Sequence, residues 1–273
     1  MQQVRKQEGR FPGSVWSRAF LGLIAVIAMG TTSMLADNLA YMTTQSNQFG
    51  IIDLNTGVFS FLGIPSVVYA GMAVENGKLY GSDLHTLSGT LYTINPANGT
   101  PTVVGTSSLN IDTFGSTTAG LYAVGFDANL YSINSTTGAA TLIGATGLGL
   151  GSWRQLSDNA STLYYADGVN LYTLNTSTGA ATLVGNMGGQ ELGAMVEIGG
   201  ILYGGQNTGG LAVDTVNTTT GLATPIAGVT GTTAAFYSLA PDVVSATPEP
   251  TSLILLGTGA LALAGTMRRK FRV

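Results

Sequence analysis

From residue 37 to residue 246 the chain is built of short runs in which apolar and polar positions alternate, separated by small polar clusters that contain glycine. Period-two alternation over four to eight residues is the mark of a half-buried strand, and no stretch here keeps the 3.6-residue period of a helix. The runs recur in a fixed order. "LY" opens a first strand, as in "KLYGSD" from Lys78; "LYTIN" from Leu91 gives a second; "TPTVVG" from Thr100 gives a third. Between the second and third strands lies a tight "N-x-x-T-G"-like turn, whose glycine falls at Gly57, Gly99, Gly138, Gly179 and Gly221, at spacings of 42, 39, 41 and 42. Glycine accepts the positive φ that such a turn needs, and Asn or Thr beside it bonds to nearby backbone groups. A fourth strand precedes each complete unit: "AGMAV" (70–74), "IDTFG" (111–115), "WRQLS" (153–157) and "LGAMV" (192–196).

A period near forty with strand patterning is that of propeller blades. The first unit lacks a leading strand, while "AAFYSLAPDVV" (234–244) is left over after the fifth. The reading that uses both facts is an all-β, five-bladed β-propeller of four-stranded blades, with repeats near 39–63, 70–105, 111–144, 153–185 and 192–228. Its closing strand, 235–244, pairs with the first blade. Such an exchange of N- and C-terminal strands removes the two open edges of a linear array. A β-sandwich or an open solenoid is the alternative.

The two ends differ from this middle. Residues 1–18 carry four basic side chains, and "AFLGLIAVIAMG" (19–30) follows as an apolar stretch before small and polar residues. This is the arrangement of a secretory signal peptide, over residues 1–36, with the cut expected after Ala36. An uncleaved anchor is the competing reading. At the other end, residues 247–273, Pro248, Glu249 and Pro250 lead into an apolar run from 253 to 264, expected as a hydrophobic helix, and then Arg268, Arg269 and Lys270. Fifteen helical residues rise about 22 Å, short of a hydrocarbon core of about 30 Å, and snorkelling basic side chains make up part of the difference on the cytoplasmic side.

These three parts, in this order, resemble the PEP-CTERM sorting signal of bacteria. The resemblance covers about the last 27 residues. It implies a stop in the inner membrane at Arg268, Arg269 and Lys270, recognition of Pro248, Glu249 and Pro250 by an exosortase, and release to the cell surface or matrix of a Gram-negative-type bacterium. Signal peptidase and exosortase are the implied partners, the inner membrane a transient one, and exopolysaccharide the implied company. The body's repeats are similar to the loose "Y-x-I-D-x-x-T-G" units of secreted bacterial propellers, which speaks to architecture and not to activity.

Composition narrows the chemistry. Charged residues are 9% of the chain, and residues 38–247 hold two basic and eleven acidic side chains, so the body repels phosphate backbones and nucleic acid is not an expected partner. There is no cysteine, which removes disulfides, thiol catalysis and Cys-bound zinc. The one histidine, His85, falls in a loop, and no H-E-x-x-H, P-loop, EF-hand or G-x-S-x-G pattern occurs. No catalytic residue, metal ligand or cofactor is assigned. In a propeller the innermost strands line the central channel, and Tyr69, Asp112, Trp153, Arg154, Glu191 and Phe236 lead into them as candidate ligand-binding residues. Glu75 and Glu197, in the hairpins after two of these strands, are expected as solvated turn residues at comparable points of their repeats. The function expected is that of an exported, non-enzymatic binding or structural module. The alternative is a propeller enzyme, a glycosidase or lyase acting on extracellular carbohydrate, with Asp112 and Glu191 as acid and base and Arg154 orienting the substrate.

Overall fold

A computed structural model of the chain describes residues 38–83, 89–149, 154–158 and 161–243. The signal peptide, His85, Trp153, the Pro248–Glu249–Pro250 triplet, the 253–264 run and Arg268, Arg269 and Lys270 lie outside the described residues. Among the described residues there are twenty strands and no helix.

The strands form antiparallel ladders of four. The first ladder joins β1 (Leu39–Thr44), β2 (Phe49–Asp53) and β3 (Phe59–Gly63) to β20 (Phe236–Pro241), in the order β20-β1-β2-β3. The second runs through β4 (Tyr69–Glu75), β5 (Lys78–Asp83), β6 (Thr90–Ile94) and β7 (Pro101–Thr106). The third comprises β8 (Ile111–Thr117), β9 (Gly120–Gly125), β10 (Asn129–Ile133) and β11 (Ala140–Ala145). The remaining eight strands form one sheet. It divides into β12 (Gln155–Asp158), β13 (Tyr164–Ala166), β14 (Asn170–Leu174) and β15 (Ala181–Asn186) on one side, and β16 (Leu192–Ile198), β17 (Ile201–Gln206), β18 (Ala212–Val216) and β19 (Ala223–Gly228) on the other. A short parallel pairing, Ser157 with Met195 and Asp158 with Val196, joins the halves. The leftover C-terminal strand does pair with the first: Met42 faces Leu239 and Thr43 faces Ser238, and their hydroxyls meet at 2.6 Å.

The leading strands of the five ladders are β20, β4, β8, β12 and β16, and each adjoins two of the others in that cyclic order. The described hydrophobic residues gather in five clusters, each between two neighbouring ladders. Met42, Tyr69, Met72, Phe114, Leu156, Met195 and Phe236 are all buried, and full burial of one such side chain contributes about 1.5–3 kcal/mol. The outermost strands face solvent on one side, and Phe61, Val103, Leu142 and Leu183 are exposed there.

Two glycines per repeat have separate tasks. The turn glycines Gly57, Gly99, Gly138, Gly179 and Gly221 all have φ between 72° and 82°. Their turns are tied by the preceding side chain. Asn134 Oδ1, for instance, accepts from the Thr136 and Thr137 amides, and Asn175 and Asn217 repeat the arrangement. The second glycine lies in the outer strand and meets the turn of the next ladder. A Cβ at Gly63 would strike the Asn98 carbonyl, at Gly105 that of Thr137, at Gly144 that of Thr178 and at Gly185 that of Thr220. The series closes with Gly57 of the first ladder, whose Cβ would strike the Gly228 carbonyl of the fifth. Backbone therefore touches backbone at every junction between ladders, with no side chain between.

The two hairpin glutamates are not equivalent. Glu75 faces Lys78 in the β4–β5 register, whereas Glu197 faces Leu202 one step further in, so they project to opposite faces. Oε2 of Glu75 is buried rather than solvated.

Candidate functional site

The leading strands share an irregularity at their start. In β4 the register with β5 passes from Tyr69 to Gly71, in β8 from Ile111 to Thr113, in β16 from Leu192 to Ala194, and in β20 from Phe236 to Ser238. Ala70, Asp112, Gly193 and Tyr237 are thereby left out of the ladders, each as the extra residue of a bulge, which for Ala70, Asp112 and Tyr237 re-aims the side chain. Counting back from the Gln155–Ala166 pair puts Arg154 at the same point of the fourth ladder.

Two of these five positions carry opposite charges. Arg154 donates from Nη2 to Asp112 Oδ1 at 2.7 Å, with the two side chains 9% and 10% exposed. The guanidinium lies over the Phe126 ring at 5.2 Å from its centroid, a cation–π contact that suits Arg in a desolvated place. The Leu156 amide donates to Thr113 Oγ1 at 3.0 Å, which ties β8 to β12 next to the ion pair. Burial raises the Asp112 carboxyl from 3.8 to about 6, and the Arg154 charge only partly offsets it. Burial also raises the phenols of Tyr165 and Tyr237, and the Asp112 charge adds to both. Asp112 Oδ2, Arg154 Nη1 and Asn110 Oδ1 are buried without a hydrogen-bond partner among the described residues. Within the ion pair itself one free donor nitrogen and one free acceptor oxygen remain, an arrangement that can hold water or a small polar ligand offering both kinds of group.

The six candidates from the sequence divide accordingly. Asp112 and Arg154 come together. Tyr69 and Phe236 fall one register step before the bulge and are buried in the core, with the Tyr69 hydroxyl donating to the Gly99 carbonyl at 3.1 Å. Glu191 precedes β16, where its amide donates to Thr208 Oγ1 and its carbonyl accepts from the Asn207 amide. Its carboxylate shares no hydrogen bond or ion pair with Asp112 or Arg154 among the described residues. Sequence reasoning missed Tyr237 and Phe126. The first stands one position after Phe236, and only a bulge at that point distinguishes the two; the second lies just past β9, and nothing local marks it. Among the described residues no cluster of three His, Asp or Glu side chains is placed to hold a metal, and no helix is long and apolar enough to cross a membrane.

Beyond the described body, residues 246–270 match the family model for the PEP-CTERM protein-sorting motif. The chain carries a PEP-CTERM sorting motif. The PEP-CTERM motif implies an exosortase-targeted protein of the cell surface, exported by way of the membrane. The comparison with curated proteins found no match. Among solved structures, a structural-genomics protein of unknown function from Bacteroides thetaiotaomicron VPI-5482 is similar at 18% identity and a TM-score of 0.55, over 75% of this chain and 62% of that one. The chain thus spans less than two thirds of that protein's length. A chain of a nidogen/laminin complex is similar at 13% identity and a TM-score of 0.50, over 74% of this chain and 97% of that one. At such identities the likeness bears on fold alone. The body of the chain is all-β and propeller-like.

Proposed function

We propose that this protein is exported, cut at its PEP-CTERM tail and left at the cell surface or in the extracellular matrix as a non-enzymatic binding or structural module. The observation that carries the reading is the sorting motif at 246–270, which follows within five residues of the last strand, Phe236–Pro241. In this reading signal peptidase removes residues 1–36. The run 253–264, with Arg268, Arg269 and Lys270, holds the tail in the inner membrane until exosortase acts at Pro248–Glu249–Pro250.

The body then works as a five-bladed propeller in which β20 completes the first blade. Five four-stranded ladders, the cyclic adjacency of their leading strands and the closed series of glycine contacts support that count. Ligand contact is assigned to Asp112 and Arg154, with Trp153 next to Arg154 in sequence and Glu191 just ahead of the leading strand of the fifth ladder; Tyr69 and Phe236 belong to the buried core at the start of their own leading strands. The partner proposed is a polar, hydroxyl-rich polymer, exopolysaccharide in the first instance, in keeping with the sorting motif at 246–270.

Replacing Pro248, Glu249 and Pro250 by alanine tests the sorting step. Export should continue, since the signal peptide is untouched, while the protein collects in the inner membrane with Val273 still present. Mass spectrometry of membrane, surface and culture fractions reads the outcome. Unchanged release of the alanine variant, or released wild-type protein ending at Val273, would refute exosortase processing.

A further inference from the structure

Asp214 is wholly buried in β18, and neither of its carboxylate oxygens has a hydrogen-bond partner. Its place in the repeat shows what is missing. Register against the neighbouring strands makes it the counterpart of Tyr92, Tyr131 and Tyr172, which face Val103, Leu142 and Leu183 as Asp214 faces Pro225. Each of those tyrosines donates its hydroxyl to a carboxylate: Tyr92 to Asp83, Tyr131 to Asp127 and Tyr172 to Asp167. In the first ladder the position is Gly50, and the Phe59 ring lies 2.7 Å from where its Cβ would be. The fifth ladder has Ala223 at the counterpart of Phe59, and so has neither ring.

The second half of the pair has changed as well. Gln206 stands where Asp83 and Asp167 stand in their repeats, on the same face of the β17–β18 ladder as Asp214 and one diagonal step away. Gln206 is 8% exposed, its Nε2 donates to the Thr208 carbonyl, and its Oε1 is buried without a partner. Three acceptor oxygens therefore sit in the interior with no donor assigned to them. Protein cations are not at hand: Lys78 is exposed at the start of β5, Arg154 is committed to Asp112, and residues 38–243 contain no other Lys or Arg.

An unpaired buried carboxylate is costly unless a cation or a proton neutralises it. Oxygen-only ligation selects hard cations over those that favour nitrogen or sulfur. We propose that Asp214 and Gln206 Oε1 form an interior site for a hard cation, calcium or an alkali ion, that takes the place of the tyrosine hydroxyl used in the second, third and fourth ladders. The site is independent of Asp112 and Arg154 and of the sorting tail.

The test is thermal unfolding of the purified protein in choline chloride with EDTA, then with calcium, sodium or potassium at matched ionic strength. Wild type should gain about 5–10 °C at a hundredfold excess of cation over its dissociation constant. Terbium should give tyrosine-sensitised luminescence that calcium displaces, if the ion is divalent. A shift with sodium or potassium and none with calcium assigns the site to a monovalent ion, still through oxygen. Asp214→Asn should lose the shift. Asp214→Tyr, which restores the residue of the other ladders, should fold and melt independently of cation. Equal melting of wild type in every salt would overturn the proposal and assign a protonated carboxyl to Asp214; a full shift retained in Asp214→Asn would overturn it too, by placing the ion elsewhere.

Discussion

Gly105→Ala adds one methyl group at a junction where two backbones touch. The added Cβ would lie 2.7 Å from the carbonyl carbon of Thr137 and nearer still to its oxygen, against about 3.5–4.0 Å for unstrained carbon contacts. The β7 strand and the third ladder's turn would have to part by about 1 Å. Neither side can swing aside as a side chain would. Thr137 is fixed by the hydrogen bond its amide donates to Asn134 Oδ1 at 3.0 Å, and Gly138 by the one its amide donates to the Asn134 carbonyl at 2.8 Å. Overpacking of this kind costs about 1–3 kcal/mol, and a rigid pair of backbones belongs at the upper end. For a body of this size each kcal/mol moves the midpoint by about 2–4 °C, so Gly105→Ala should melt roughly 5–10 °C below wild type. Gly149→Ala is the control, because nothing lies within 4 Å of its Cβ position. It should be neutral or gain about 0.4–1 kcal/mol from the stiffer unfolded chain. Calorimetry and urea denaturation of both variants decide the matter. Equal midpoints for Gly105→Ala and wild type would refute the claim that these glycines are there to let ladders touch.

Arg154→Ala should destabilise the body by about 3–5 kcal/mol, because it strands a buried carboxylate; adding Asp112→Ala should recover part of that loss, as a double-mutant cycle in urea would show. Burial raises Asp214 from 3.8 to about 6 in the folded state, so the stability linked to it is fully present below pH 4 and lost as pH rises through 6. Measured in choline chloride with EDTA, Asp214→Asn should therefore gain on wild type by about 3 kcal/mol between pH 4 and pH 8, and parallel pH profiles would contradict this. Deleting Phe236–Pro241 leaves the outer edge of β1 unpaired, so the shortened protein should self-associate in light scattering; a monomer as heat-stable as the parent would show that β20 is dispensable.

Much of the architecture is legible in the chain because strands and turns are local. Period-two runs such as "LYTIN" and the positive-φ turn glycines need no knowledge of the rest of the fold, and the spare segment near 235 could be matched to the missing leading strand by counting. The contacts of Gly105, Gly144 and Gly185 were not legible, since each meets a turn some thirty to forty residues away. A bulge also defeats counting: one skipped residue moves the inward position from Tyr69 to Ala70 and from Phe236 to Tyr237, while Asp112 and Arg154 survive because both are polar and one repeat apart. Asp214 stayed hidden for another reason. As an acid in a strand of alternating pattern it reads as solvent-facing, and only its register against Tyr92 and Tyr172 shows that it occupies an interior place.

The bulge positions have a consequence of their own. Ala70, Asp112, Arg154, Gly193 and Tyr237 occupy equivalent points of five near-identical frames, yet no two of them are the same residue. The turns between second and third strands, by contrast, repeat almost verbatim. Shape and chemistry are thus written in separate registers of one repeat. The outer turns and glycines specify that a ladder forms and how it meets its neighbour, and the skipped residue specifies what that ladder presents at the meeting of the leading strands. Such a frame works as a five-character field, in which any character can change without rewriting the line that holds it.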